Sequence, residues 1–446
     1  MKKNYLILLV LLLAPFLLSQ ILWAKIYIDI RSPSFRKFPI ALSPFKALTP
    51  PSQDMKLGER GREILREDLD ISGFFSLLTP ETSPEKTGGI PSPPGEGTAP
   101  ESPDFQPWAN LGAEALVTGV ITYQDGSLTL EARLYDVVKK ELIVGKRYIG
   151  EMTDLSRMVH RFADEIIFAL TGEQGFFQTK IIFVSTAAGN KELFLMDWDG
   201  RNVTQLTHHK SIILSPRVSP DGTKVVFTSY KMGNPDLFIK DLRTGEERRI
   251  SSYPGLNMSP AWSPDGKRLA LTLSKDGNPE IYTMNPDGSG LVRLTHNPAI
   301  DVSPTWSPDG QKIAFVSSRG GNPQIYFMEA NGQNVQRLTF EGNYNTHPSW
   351  SPRGDRIAFD ATLGGGRNIC TIRPDGSDLR VLSANLGKCE MPSWSPDGRN
   401  LIFSSDRDGQ PHIFLMDAEG TRIKKLTFQR GSDSYSYWIP RAREPK

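Results

Sequence analysis

The dominant pattern along this chain is a repeat of hydrophobic and polar positions with a period of 44 residues. Trp262-Ser-Pro-Asp-Gly266 recurs at residues 306–310, as Trp350-Ser-Pro-Arg-Gly354, and at 394–398. A degenerate copy at 218–222 precedes them, and Trp438-Ile-Pro440 follows. Two further columns keep the register at 181–185, 225–229, 269–273, 313–317, 357–361 and 401–405, and at 192–197, 236–241, 280–285, 324–329, 368–373 and 412–417. The last column ends in Leu206-Thr207 and its variants up to Leu426-Thr427. Each is a short alternating run, rich in β-branched and aromatic residues and bounded by turn residues, which predicts a strand. Four strands repeated six times predict a six-bladed β-propeller. With the strands of a blade named A (the Pro-x-Trp-Ser strand) to D, the array opens on strand B at Ile181 and ends on a strand A at Trp438. Residues 435–439 are therefore expected to complete the blade of 181–207, so that neither end is an open edge.

Residues 25–175 lack the period and read as a separate α/β domain, followed by the propeller over 176–446. Strands are expected at 26–30, 40–45, 74–78, 115–123, 128–137 and 142–149, with a tight turn at Asp125-Gly126. Helices are expected at 54–70, at 108–114, and from a cap at Thr153 through Leu170. Residues 79–107 carry eight prolines and four glycines and predict a flexible loop. At the start, Lys2 and Lys3 precede an apolar run and Ala24, a pattern that predicts a secretory signal over 1–24 cleaved after Ala24, with an uncleaved anchor as the alternative.

Composition narrows the chemistry. Lys and Arg number 52 against 50 Asp and Glu, a net charge of +2 that gives no reason to expect nucleic acid as a partner. Two cysteines exclude a disulfide-built scaffold and a four-thiolate zinc site. Cys370 and Cys389 fall on non-adjacent strands and are expected to be free. There is no HExxH, GxSxG, GxxxxGK[ST] or strand-following GxGxxG. No catalytic residue, metal ligand or cofactor is predicted. The repeating Ser-Pro-Asp-Gly reads as a β-turn rather than a ring of metal ligands, because Arg353 replaces Asp in one copy. The tryptophans read as packing between blades.

An export signal, an α/β domain of this size and six WSPDG-type repeats together resemble the TolB family, the periplasmic component of the Tol-Pal system of Gram-negative bacteria. The resemblance implies a non-enzymatic periplasmic adaptor, not inserted in a membrane after signal cleavage. Its propeller would bind a Pal-like peptidoglycan-associated lipoprotein, and its mature amino terminus a TolA-like inner-membrane protein. Such an adaptor links the two membranes during division and maintains envelope integrity. Two rivals share the repeat: a propeller-capped serine peptidase, and a lyase-like propeller enzyme with an active site in its channel. The first needs a nucleophile elbow that residues 25–175 lack. For the second, His347, just before a strand A, is a candidate to face the channel, but its equivalents Ser215, Ser259, Ser303, Met391 and Tyr435 make no ligand set.

The TolA-binding position falls on Lys25, Ile26, Tyr27, Ile28, Asp29, Ile30, Arg31 and Ser32, expected as a tether, with an edge strand of the α/β domain as the alternative. The second site is expected where the D–A loops open around the channel. Asn257, Asp301, Asn345 and Asp433 recur there five residues before each tryptophan, beside Leu256, Met258, Ser259, Ile300, Val302, Ser303, Thr346, His347 and Glu390. Mixed apolar and polar character on a rigid ring suits a protein interface.

Overall fold

The computed structural model describes residues 36–48, 56–78 and 103–440. The expected signal and the tether at 25–32 lie outside the described residues, as do residues 79–102 of the proline-rich loop. Contacts divide the chain into two units, one ending at Gln174 and the other resuming at Gly175.

The first unit is a mixed sheet with helices. Its elements are β1 (Phe38–Leu42), β2 (Lys46–Leu48), α1 (Leu57–Ser72), β3 (Phe75–Leu78), α2 (Gln106–Asn110), β4 (Ala115–Gln124), β5 (Ser127–Asp136), β6 (Glu141–Gly150) and α3 (Leu155–Thr171). The strand order is β3-β1-β4-β5-β6, with β2 on β4. The α1 crossover makes β3 parallel to β1. The β4–β5 hairpin turns on Asp125 (φ 51°) and Gly126 (φ 81°), the left-handed pair that a two-residue hairpin needs. Leu57, Ile64, Leu65 and Leu69 bury one face of α1. Leu155, Val159, Phe162, Ile166 and Leu170 do the same on α3, which lies against β5 and β6. Asp68 and His160 form a buried pair between the two helices at 2.8 Å.

Three expectations need correction here. The strand expected at 40–45 breaks after Leu42 and resumes at Lys46, with Pro44, which has no N–H to donate, in the break. The helix expected at 108–114 starts earlier, at Gln106, and stops at Asn110. Its start falls inside the stretch expected to be loop, because Phe105 and Trp108 are buried and Phe105 packs on Tyr135 at 5.7 Å. Thr153 does not cap α3. A 3-10 turn over Met152–Asp154 precedes it, where the Asp154 carboxylate accepts the Glu151 N–H at 3.0 Å in a capping box.

The second unit is the six-bladed propeller, six four-stranded antiparallel sheets. Blade 1 takes strand A from Asp433–Trp438 and strands B to D from Lys180–Ser185, Glu192–Asp197 and Thr204–Gln205. Blades 2 to 6 have their A strands at Ile213–Val218, Asn257–Trp262, Asp301–Trp306, Asn345–Trp350 and Cys389–Trp394. The strand that closes the ring runs over Asp433–Trp438, where 435–439 was expected, with Asp433 opposite Ser185 and Trp438 opposite Ile181.

The repeated motifs take their physical sense from this frame. Trp262, Trp306 and Trp394 each donate their indole N–H to a strand A carbonyl of the preceding blade, at 3.1, 3.3 and 3.0 Å. Trp438 donates to Thr179 at 2.6 Å, whereas Trp350 turns to its own Gly354 carbonyl at 3.5 Å. In the Ser-Pro-Asp-Gly turns, the Ser263 hydroxyl donates to Asp265 at 2.6 Å and the same carboxylate accepts the Lys267 N–H at 3.0 Å. In the Arg353 copy, Asp355 takes over as acceptor from Ser351 at 2.8 Å, and Arg353 donates to the Asp397 carbonyl of the next blade at 2.8 Å. The Leu-Thr column has a specific task. Thr207, Thr295, Thr339, Ser383 and Thr427 each accept a strand C backbone N–H at 2.8–2.9 Å, bonding strand C where the short strand D ends. Cys370 and Cys389 are buried free thiols.

Trp438 is 2% exposed and packs edge-on against Phe176 at 5.3 Å. Trp438→Ala should cost about 3–5 kcal/mol, visible as a lower midpoint in denaturant, and an unchanged midpoint would contradict the closure role.

Candidate docking face at the channel mouth

Strand A carries the channel. In every blade its pairing with strand B skips two residues, as between Met258 and Ala261. The bulge holds a residue in the left-handed region: Ser215, Ser259, Ser303, His347, Met391 and Tyr435 have φ between 49° and 59°. In five copies proline follows, a residue that strands tolerate at bulges because it has no N–H for the ladder. These bulges turn six side chains onto the axis, where they line a common cavity of about 20 Å³. That is room for one water molecule. Arg217 lines the same cavity, lies over the Tyr437 ring at 5.1 Å and donates to the Pro216 carbonyl at 2.8 Å. Burial pulls its guanidinium below the usual arginine range.

The column five residues before each tryptophan is not a surface. Asn257, Asp301, Asn345 and Asp433 are all fully buried, which corrects the expectation that they face a partner. They stand at the first position of strand A and hold the D–A loop from inside. Asn257 accepts the Tyr253 N–H at 2.9 Å and donates to the Tyr253 carbonyl at 2.7 Å. Asn345 donates to the Glu341 carbonyl at 2.8 Å, and Asp433 accepts from Gln429 at 3.2 Å. Asp301 pairs with Arg319 at 2.7 Å, and burial still pushes its carboxyl upward. Thr346 is buried too. Leu256, Met258, Ser259, Val302, Ser303, His347 and Glu390 are half-buried around the mouth, and Ile300 is exposed.

Blade 5 adds a charge cluster that sequence reasoning missed. Asp360, fully buried on strand B, accepts from Thr346 at 2.8 Å, from the His347 ring at 2.8 Å and from the Met391 backbone at 3.1 Å. Arg367 pairs with the same carboxylate and with Glu390 at 3.0 Å. Burial by itself raises the Asp360 carboxyl, but His347 and Arg367 outweigh it and hold the group below the usual carboxylate range. The signal was in the repeat: the equivalents of Asp360 are Val184, Thr228, Thr272, Val316 and Ser404.

Two columns of the D–A loops carry exposed apolar side chains in some of the blades. Residues just before strand A include Ile212, Ile300 and Tyr344, 46–50% exposed, and residues just after the Leu-Thr pair include Phe340 and Phe428, 73% and 75% exposed. Basic side chains brace the rings: Arg337 lies over Phe340 at 4.9 Å, Arg367 over Tyr344 at 5.0 Å and Lys425 over Phe428 at 5.5 Å. Sequence reasoning named Ile300 but not Ile212, Phe340, Tyr344 or Phe428, although reading down the same columns finds them.

These features define a class: a closed six-bladed propeller, following an α/β unit, with an apolar-studded loop face around a nearly filled channel. Family profiles agree, matching the TolB amino-terminal domain over residues 26–143 and the TolB beta propeller domain over 168–388 and 348–444. The chain belongs to the TolB family. The Tol-Pal system protein TolB of Desulfosudis oleivorans is 40% identical over 196 residues, 44% of this chain and 43% of that one. Its counterpart in Geobacter sulfurreducens is 43% identical over 173 residues, 38% of each chain. These matches span about two-fifths of the relatives' length. The crystal structure of TolB from Acinetobacter baumannii superposes with a TM-score of 0.75 at 27% identity, covering 91% of this chain and 97% of that one.

Asp360→Asn tests the buried cluster. A depressed carboxyl contributes stability that is present above the unfolded value of about 3.9 and is lost as pH falls through the folded value. The variant should lose roughly 3–5 kcal/mol at pH 7, and its deficit should shrink below about pH 4. Melts at pH 7 and pH 3 check this, and a deficit equal at both would contradict it.

Proposed function

We propose that this protein is a non-enzymatic periplasmic adaptor of the Tol-Pal system. Its propeller binds a Pal-like lipoprotein through the D–A loop face, and residues 25–32 bind a TolA-like inner-membrane protein. The adaptor thereby links the two membranes during outer-membrane invagination and maintains envelope integrity. The observation that carries the reading is the set of exposed apolar side chains that the D–A loops present on one face, Ile212, Ile300, Phe340, Tyr344 and Phe428. A few apolar anchors on a rigid frame supply most of the energy of a protein interface. The opposite face presents Ser-Pro-Asp-Gly turns and C–D turns whose carboxylates, such as Asp265 and Asp287, are already engaged by their own loops. Membership of the family and the Tol-Pal names of its relatives support the same partners. The small channel supports binding over its mouth rather than turnover of a substrate inside it. Among the described residues no helix is long and apolar enough to cross a membrane.

Phe340→Asp with Phe428→Asp should weaken capture of the Pal-like lipoprotein at least tenfold, about 1.4 kcal/mol, with little change in melting temperature. Asp287→Lys on the far face should leave capture intact. The reverse outcome would assign the interface to the turns. Removing residues 25–32 should abolish capture of the TolA-like protein while leaving lipoprotein binding and melting temperature nearly unchanged. A large fall in stability would instead assign that segment to the α/β domain.

A further inference from the structure

Two residues on the innermost strands depart from their columns, and they do so on neighbouring blades. At the position before the tryptophan, five copies of strand A carry Ala261, Thr305, Ser349, Ser393 and Tyr437, whereas blade 2 carries a charge, Arg217. One position earlier, five copies carry proline and blade 1 carries Ser436. The A strands of blades 1 and 2 lie against each other, and both departures line the cavity of about 20 Å³ on the channel axis.

Arg217 is a cation without a counter-charge. Among the described residues it has no carboxylate partner, and it donates only to the Pro216 carbonyl at 2.8 Å. The ionisable groups that act on it are Tyr435 and Tyr437, whose phenols burial pushes upward and so keeps neutral. The Tyr437 ring at 5.1 Å offers a partly negative face but no charge. Three blades away, Asp360 and Glu390 are already engaged by His347, Arg367 and Lys388. None of the residues lining the cavity is a carboxylate. A guanidinium held away from bulk water with nothing to balance it is costly.

Ser436 supplies a second, independent observation. It is 3% exposed, and its hydroxyl has no hydrogen-bond partner among the described residues. A buried O–H on a cavity wall calls for an acceptor inside the cavity. The strand A bulges bring Ser215, Ser259 and Ser303 to the same wall. Guanidinium N–H groups and hydroxyls can all donate, so the wall is built to receive an acceptor. A water molecule would satisfy Ser436 but leave the Arg217 charge unbalanced. A cation would face the guanidinium at close range.

We infer that the channel axis holds one free halide-sized anion, chloride, bound by the Arg217 guanidinium and the Ser436 hydroxyl. Room for a single water-sized particle is too little for phosphate, or for a carboxylate with the chain that carries it. The inference rests on the channel wall and holds whichever partner occupies the D–A face.

Crystals of the full-length protein grown in sodium bromide should show one anomalous-scattering peak beside the Arg217 guanidinium. In solution, sodium chloride should raise the melting temperature by roughly 2–4 °C over sodium gluconate at equal ionic strength, gluconate being too large to enter. Arg217→Met keeps an apolar stem over the Tyr437 ring and removes the charge, and it should abolish both the peak and the advantage of chloride. Ser436→Ala should raise the chloride concentration needed for half the stabilisation about tenfold. The bromide peak needs no variant, so it decides the question even where Arg217→Met does not fold. A cation or water alone at this place would overturn the inference. So would an equal advantage of chloride in Arg217→Met and the wild type, or an unchanged chloride requirement in Ser436→Ala.

Discussion

The pairing of residues 433–438 with residues 180–185 is the constraint on which the propeller depends. A single blade exposes both faces of its sheet and cannot bury its own side chains. Six blades around an axis cover one another, provided that the last meets the first. The clusters of buried residues accordingly run between blades: Ile182, Val184 and Leu193 of blade 1 pack with Val225, Phe227 and Phe238 of blade 2. Trp438 and Ile439 fasten the junction, the latter through its N–H to the Lys180 carbonyl at 2.8 Å. Closure between distant parts of the sequence also makes the array behave as one unit rather than as a chain of separable repeats.

The closed ring fixes what each face offers. Six left-handed residues at the strand A bulges bring the inner strands onto the axis and leave the channel nearly full. Left-handed conformations at Ser, His, Met and Tyr are costly, so neighbours must impose them. The buried Asn257, Asp301, Asn345 and Asp433 sit two residues before four of these bulges and stiffen the loops that meet there. On that frame, exposed aromatic rings are held by cationic neighbours rather than left to move freely. Preorganisation of this kind lowers the ordering cost of binding.

Much of the fold was legible because a 44-residue period aligns equivalent positions without knowledge of their contacts. It gave the blade count, the strand order and the partner of the last strand. It did not say which way a polar column points. Asn257 and its equivalents read as a surface because they are polar and adjoin loops, yet they begin strand A and satisfy loop backbone groups from inside. Thr153 misled for a related reason. It lies inside a 3-10 turn whose capping box runs between Glu151 and Asp154, a local geometry that composition does not encode. What the period does disclose is exception. Asp360 among Val, Thr and Ser marks the blade that carries a buried charge cluster. In a repeat protein the individual residues that break a column are where its special chemistry lies.

The central claim is that the D–A loop face of a closed ring is the docking surface. Hydrogen–deuterium exchange on the protein with and without the Pal-like lipoprotein tests it most directly. The account predicts protection on binding at residues 208–212, 296–300, 340–344 and 428–432, with no change in the turns at 263–266, 307–310 and 395–398. Protection confined to those turns, with the D–A loops unaffected, would contradict it.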